Sequence, residues 1–145
     1  MNIRKITAAD RAVYLQLSEE FYHSEAVLHP VPSEYFERSF EEMMRSDEYL
    51  LCYLLERDGE TIGYALLAKT WSVEAGGAVV WLEELYLRPD YRGQGLGSVF
   101  LAFMTREIPA ERYRLEVEPD NHRAKALYGR YGFEVLPYQQ MKRGN

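Results

Sequence analysis

The chain has 145 residues, 47% hydrophobic and 28% charged, the composition of one globular domain and not of a disordered, collagen-like or disulfide-stapled chain. Seventeen Lys and Arg against 23 Asp and Glu leave a formal charge of −6, which argues against a nucleic-acid partner because phosphate backbones attract basic surfaces. No apolar run approaches the ~20 residues of a membrane span, nothing behind Arg4 and Lys5 resembles a signal peptide, and a lone Cys52 excludes an internal disulfide or a Cys-rich zinc site. The expectation is a single domain over residues 1–145, soluble and cytoplasmic, with no membrane partner and no metal.

The elements follow from periodicity and punctuation. Residues 3–6 read as a short strand. Thr7-Ala8-Ala9-Asp10 is a capping signal with Asp at the fourth place, and Val13, Leu17 and Phe21 recur at helical spacing behind it. Pro30 and Pro32 break the chain. Ser33 caps a second helix through about Arg45, with Phe36, Phe40 and Met43 or Met44 inward. The period then changes to that of strands. Residues 49–56, 61–71 and 78–87 read as three strands of an antiparallel meander, joined at Asp58-Gly59 and Gly76-Gly77. Cys52 lies in an apolar run of the first and reads as buried filler. Pro89 ends the third. A helix is expected over 98–108, a strand over 114–117, a helix over 122–131 stopped by Gly132, and a last strand over 133–141 around Pro137. The order β-α-α-β-β-β-α-β-α-β is an α+β fold with a mixed, mostly antiparallel sheet flanked by helices.

The most informative stretch runs from Leu85 to Ser98. A strand leads into Gly93, Gly95 and Gly97, and these open a helix. Glycine permits tight turning and close backbone approach. The first N–H groups of a helix lack internal partners and carry partial positive charge, so this junction suits a phosphate or pyrophosphate, with Ser98 as a further donor. A Walker loop needs Gly-Lys-Ser/Thr, and no lysine stands here. A dinucleotide fingerprint needs a third Gly or Ala where Ser98 stands, and a parallel βαβ setting in place of a meander.

Arg92-Gly93-Gln94-Gly95-Leu96-Gly97 resembles the R/Q-x-x-G-x-G/A acyl-CoA motif of the GNAT superfamily of N-acetyltransferases. Leu87-Arg88-Pro89-Asp90-Tyr91 is similar to its V-x-P-x-Y lead-in. The segment from Asn121 to Phe133 resembles its N-x-x-A-x-x-x-Y-x-x-x-G-F stretch, and the element order agrees. The resemblance implies direct transfer of an acetyl group from acetyl-CoA to an amine. It assigns cofactor contact to the loop Arg92, Gly93, Gln94, Gly95, Leu96, Gly97 and Ser98, to the strand backbone at Leu85, Tyr86 and Leu87, and to Asn121 and Ala124. Asn121 can equally cap its helix.

The reaction then needs a proton donor for the leaving thiolate and a base for the ammonium. Tyr128 matches the family's general-acid tyrosine, although its helix face, shared with Ala124, Leu127 and Tyr131, also suits the core. Three glutamates compete as base. Side chains alternate along the strand bearing Glu83 and Glu84, so one faces the acceptor unless a bulge intervenes. Polyamine-acting relatives carry Leu-Glu-Asp where this chain has Leu82-Glu83-Glu84, which favours Glu83. Relatives acting on protein N-terminal amines carry Leu-Glu-Val, matched by Leu115-Glu116-Val117. His23 and His29 are too isolated to ligate a metal.

Residues 18–48 hold nine acidic and two basic side chains. In the resembling family the first two helices wall the acceptor side, so the expected acceptor is a small cationic amine. An ordinary solvated acidic surface gives the same pattern. A protein N-terminal amine, or a non-catalytic acyl-CoA-binding module, is the alternative. Trp71 and Glu74, at a hairpin, fit either the acceptor border or a homodimer contact.

Overall fold

The structure, a computed structural model, describes residues 1–25, 27 and 29–145. Five strands lie side by side in chain order: β1 Asn2–Lys5, β2 Leu50–Arg57, β3 Glu60–Ser72, β4 Gly77–Leu87 and β5 Arg112–Leu115. The first four pair antiparallel and β5 joins β4 in parallel. Helices α1 Arg11–Tyr22 and α2 Ser33–Arg45 precede the meander. α3 Leu96–Glu107 and α4 His122–Arg130 follow it.

Local chemistry explains the boundaries. Asp58 and Gly59 both have positive φ, 52° and 77°, the pairing that a two-residue hairpin twisting with its strands requires. Asp10 accepts from the Thr7 N–H at 2.8 Å and Thr7 Oγ1 at 3.0 Å, which closes the expected capping box. It also receives both terminal nitrogens of Arg4 at 2.8 Å. That bidentate guanidinium holds the Asp10 carboxyl well below the usual range. The buried face of α1 is centred on Tyr14, Leu17 and Ser18, with Val13 and Phe21 at its edges. On α2, Met43 is buried and Met44 exposed.

The sheet separates two cores. Leu51, Leu55, Ala65, Leu67, Val80 and Leu82 pack toward α3. Cys52, Leu54, Tyr64 and Leu66 pack toward α1 and α2. Strand alternation sorts neighbours onto opposite faces. Cys52 is 1% exposed and burial pushes its thiol up, as inert filler requires.

The expected fold class stands, with one element corrected. Residues 133–141 carry no strand. Gly132, at φ 87°, turns the chain out of α4. Phe133 docks its ring on Tyr128 at 6.0 Å, and Val135, Tyr138 and Met141 beyond it are exposed. Apolar β-formers alone do not make a strand without a partner ladder and a face to bury. β5 also lies earlier than expected, and α3 begins two residues earlier.

Gly63 fits where no side chain can. A Cβ there would sit 2.0 Å from the Tyr86 carbonyl oxygen across the β3–β4 ladder. Gly63→Ala is expected to cost about 3 kcal/mol, at the upper end of overpacking effects. Urea denaturation with an unchanged m-value measures it.

Candidate active site

One irregularity in β4 organises the site. Leu66 pairs with Glu84 while Leu67 pairs with Leu82, so Glu83 is an extra residue with no partner on β3. This bulge reverses the alternation. Val80 and Leu82 face α3. Beyond the bulge Glu84 and Tyr86 face α1, while Leu85 and Leu87 turn to α3. The parallel pairing with β5 stops at Leu82 and Leu115. β4 runs on past the end of β5, and Glu83 stands where the two strands part.

The three candidate glutamates therefore have different surroundings. Glu84 is half-buried and accepts hydrogen bonds from Tyr22 Oη on Oε2 and Tyr64 Oη on Oε1, each at 2.6 Å. Burial raises its pKa, and the two hydroxyls oppose that rise only in part. Glu83 is exposed at the residue level. Its carboxyl is nonetheless pushed up, first by partial desolvation, then by the neighbouring charges of Glu116 and Glu84. Glu116 is exposed. The structure thus brings Glu116 and Glu84 each within electrostatic reach of Glu83. The tyrosines on Glu84 had no signal in the sequence, because the bulge that turns Glu84 toward them has none.

The glycine loop follows a one-turn 3-10 segment at Pro89–Tyr91. Gly93 and Gly95 have φ of 74° and 75°, and Gly95 precedes α3 with no side-chain cap. The leading N–H groups of α3 therefore point outward unpartnered. A Cβ on Gly95 would meet nothing within 4 Å, so the loop presents an open backbone cradle that fits a pyrophosphate. Two side chains stiffen it. Arg92 Nε donates to the Leu87 carbonyl at 2.8 Å, and its guanidinium lies 5.5 Å from the Tyr86 ring. Gln94 donates to the Asp90 carbonyl at 3.1 Å and accepts from Arg57 at 2.6 Å. These two residues shape the loop. An unexpected cation stands nearby: the Arg123 guanidinium is 3.8 Å from a Cβ built on Gly93.

α4 leans on the same loop, since Leu127 lies 3.7 Å from a Cβ built on Gly97. Tyr128 is half-buried against Phe133, and burial raises its hydroxyl pKa. That hydroxyl has no hydrogen-bond partner among the described residues, yet it is not sealed from solvent. Packed ring and free hydroxyl thus coexist. Asn121 Oδ1 accepts from the Ala124 N–H at 3.1 Å and so caps α4.

Cations from elsewhere dilute the acidity of residues 18–48. Lys5 pairs with Asp47, Arg11 with Glu37 at 3.2 Å, and Arg88 with Glu20 at 3.4 Å. Arg45 pairs with Glu42 at 2.6 Å. Glu74 reaches Arg112 at 3.9 Å, and Trp71 is 75% exposed. Their hairpin opens β4 six residues before Glu83, roughly 20 Å away at ~3.3 Å per residue. It does not border the carboxylates. Among the described residues no group of three His, Cys, Asp or Glu could hold a metal ion, and no helix is long and apolar enough to cross a membrane.

The profile of the Acetyltransferase (GNAT) family matches residues 12–133. The chain belongs to that family, and it is an acyltransferase. A Bacillus subtilis (strain 168) protein named as a [ribosomal protein bS18]-alanine N-acetyltransferase is 29% identical over 133 residues, 90% of this chain and 83% of the relative. The thialysine N-epsilon-acetyltransferase of Bos taurus is 31% identical over 112 residues, 66% of this chain and 65% of the relative. The fold is shared with a solved structure of AAC(6')-Iy bound to a CoA-S-monomethyl-acetylneamine bisubstrate analog. The TM-score is 0.80 at 19% identity, over 99% of this chain and 97% of that one.

A carboxyl whose folded pKa is raised stabilises the fold at low pH and withdraws that support as pH rises through the folded value. Glu84→Gln is isosteric and keeps both tyrosines in hydrogen-bonding reach. Its Tm at pH 7 is expected to match or exceed the parent's, with a weaker decline as pH rises above the ordinary carboxylate range. Calorimetry across that window tests this.

Proposed function

We propose that the protein transfers an acetyl group from acetyl-CoA to a small cationic amine. The reading is carried by one observation: Glu83 is bulged out at the point where β4 and β5 part, with Glu84 and Glu116 close by. The three carboxylates create a negative focus at the mouth of the splay, which draws in an ammonium and favours its deprotonated attack form only once a proton acceptor is present. Glu83 is the proposed base. Its raised pKa brings it nearer the operating range of a neutral-pH base, and its exposure lets it act directly or through one water.

The loop N–H groups at α3 hold the pyrophosphate, Arg123 adds a positive charge beside it, and Asn121 and Ala124 border the pantetheine arm. Backbone groups of Leu85, Tyr86 and Leu87, left without a β5 partner, align the arm and polarise the thioester carbonyl. Donors aimed at developing oxyanion charge are worth roughly 3 kcal/mol each. The amine nitrogen forms its bond to the carbonyl carbon, the carbon–sulfur bond breaks, and the sulfur takes a proton from Tyr128. A phenol is protonated at neutral pH, as a proton donor requires, and burial pushes this one further up.

A second reading, acetylation of a protein N-terminal amine, is supported by Glu116 beside Glu83 in the Leu115-Glu116-Val117 segment and by the name of the Bacillus subtilis relative. Free-thiol release from acetyl-CoA, followed across diamines, aminoglycosides, amino acids and short peptides, separates the two. The proposal expects turnover on diamines. Turnover confined to peptides overturns the small-amine acceptor.

Tyr128→Phe is expected to lower kcat by about 100-fold, the usual scale of general-acid catalysis, while CoA affinity stays unchanged; unaltered kcat removes the general-acid role. Gly95→Val puts a β-branched residue at φ 75°, a strain of about 2 kcal/mol, and fills the cradle. CoA affinity is expected to fall by more than about tenfold in calorimetric titration, with Tm lowered by several degrees. A variant that is folded and binds CoA as the parent does would contradict the loop assignment.

A further inference from the structure

Strand alternation separates two sides of the sheet at β4 and β5. Tyr113 and Leu115 pack with Leu127 and Tyr128 on the α3 core, so Arg112, Arg114 and Glu116 project from the opposite face. On β4, Val80 and Leu82 turn to α3, and Trp81 between them turns the other way. α1 packs on β3 and α2 on β2, which leaves this stretch of β4 and β5 open. Trp81 and Arg114 are half-buried there, and Glu83 and Glu116 are exposed. The result is a ledge that ends at Glu83, where the two strands part. Tyr128 lies on the other side, so an amine that attacks while sulfur leaves toward Tyr128 approaches from this ledge.

Arg114 is a held but unpaired cation on that ledge. It is the register partner of Trp81 across the parallel ladder, and its guanidinium lies 4.3 Å from the indole centroid. Trp81 Nε1 donates to Thr70 Oγ1 at 3.2 Å, which fixes the ring from the neighbouring strand. A guanidinium stacked on a ring face keeps its N–H groups at the edge, where a carboxylate meets two of them at once. Among the described residues Arg114 makes no ion pair or hydrogen bond, although Glu116 stands two residues on along the same face. Arg112, by contrast, reaches Glu74 at 3.9 Å. Nor does Arg114 neutralise the proposed base, since the charges acting on Glu83 are those of Glu116 and Glu84.

We propose that Arg114, held flat on Trp81, is a specificity-determining residue that binds a carboxylate of the acceptor, which makes the preferred acceptor an amino acid acetylated on its side-chain amine. The inference rests on the small-amine reading and names the substrate class. The spacing along the strands selects the nitrogen. Trp81 and Arg114 lie one same-face repeat from Glu83 and Glu116, roughly 7 Å by strand rise. An α-amine is too close to its own carboxylate to span that separation. An amine at the end of a short aliphatic side chain spans it, with its carboxylate on Arg114 and its nitrogen beside Glu83.

The test uses the full chain loaded with CoA, titrated calorimetrically with L-ornithine and with 1,4-diaminobutane, which is the same amine without its carboxylate. Ornithine is expected to bind about tenfold or more tightly, the scale of one bidentate charge-assisted contact. Arg114→Gln should reduce that preference to about twofold or less. Arg114→Lys, which keeps the charge and loses the fork, should retain part of it. With acetyl-CoA the parent should yield the δ-acetyl product, identified by NMR, and the advantage of ornithine in kcat/KM should lie in KM. Equal binding of the two compounds, binding of neither, acetylation at the α-nitrogen, or an unchanged preference in Arg114→Gln with its Tm intact each overturns the proposal. Failure of the transferase reading looks different: ornithine binds in an Arg114-dependent way, and the parent releases no thiol from acetyl-CoA with either compound.

Discussion

A single extra residue in β4 turns the second half of that strand over, and the site depends on it. Without the bulge at Glu83, Glu84 would share the face of Val80 and Leu82 and its carboxylate would enter the apolar core against α3. That burial would have no hydroxyl to offset it. With the bulge, Glu84 meets Tyr22 and Tyr64, and Glu83 is left without a β3 partner where β4 and β5 separate. Bulges re-aim side chains and end pairing. Here both effects fall on the same residue, so the opening between the strands and the acidic groups beside it have one cause.

The glycine loop is the complementary device at the far end of β4. Its two left-handed glycines let the chain reverse into α3 with the helix N-terminus bare. Arg92 and Gln94, which look in isolation like ligand contacts, bond to the backbone of the strand and the preceding turn. Their effect is preorganisation: the loop is held in shape before a ligand arrives, which lowers the ordering cost of binding. α4 is placed by the same contacts, through Leu127 at Gly97 and Arg123 at Gly93. The helix bearing Tyr128 is thereby registered against the glycine loop.

Electrostatics at the surface and in the interior differ here. Three of the six carboxylates on α1 and α2, Glu20, Glu37 and Glu42, are paired with Arg88, Arg11 and Arg45, and Asp47 just beyond α2 is paired with Lys5. Exposed pairs of this kind contribute little to stability, but they reduce the field that the linear charge count implies. The negative potential that matters sits instead at the β4 bulge. There desolvation raises the pKa of both Glu83 and Glu84, and the charges of Glu116 and Glu84 push Glu83 up further.

Much of this protein follows from its linear pattern. Helical and strand periods, the Asp58-Gly59 hairpin, the Thr7–Asp10 box and the glycines before α3 are local signals, each readable from a few neighbouring residues. They determine the α+β order and the glycine loop, and Tyr128 and the glutamates can be picked out as candidates. What they leave open is long-range. Residues 133–141 have strand-forming composition, yet they acquire no ladder because pairing needs a partner edge in register. Part of the charge of the acidic helices is offset by Arg11 and Arg88, which lie distant in sequence from Glu37 and Glu20. Glu83 and Glu84 cannot be told apart by alternation, because a bulge shifts the count by one and is set by how β3 and β4 pack across the sheet. Local sequence determined the elements and the loop. Tertiary packing alone decided which carboxylate faces the splay and which is held by two tyrosines.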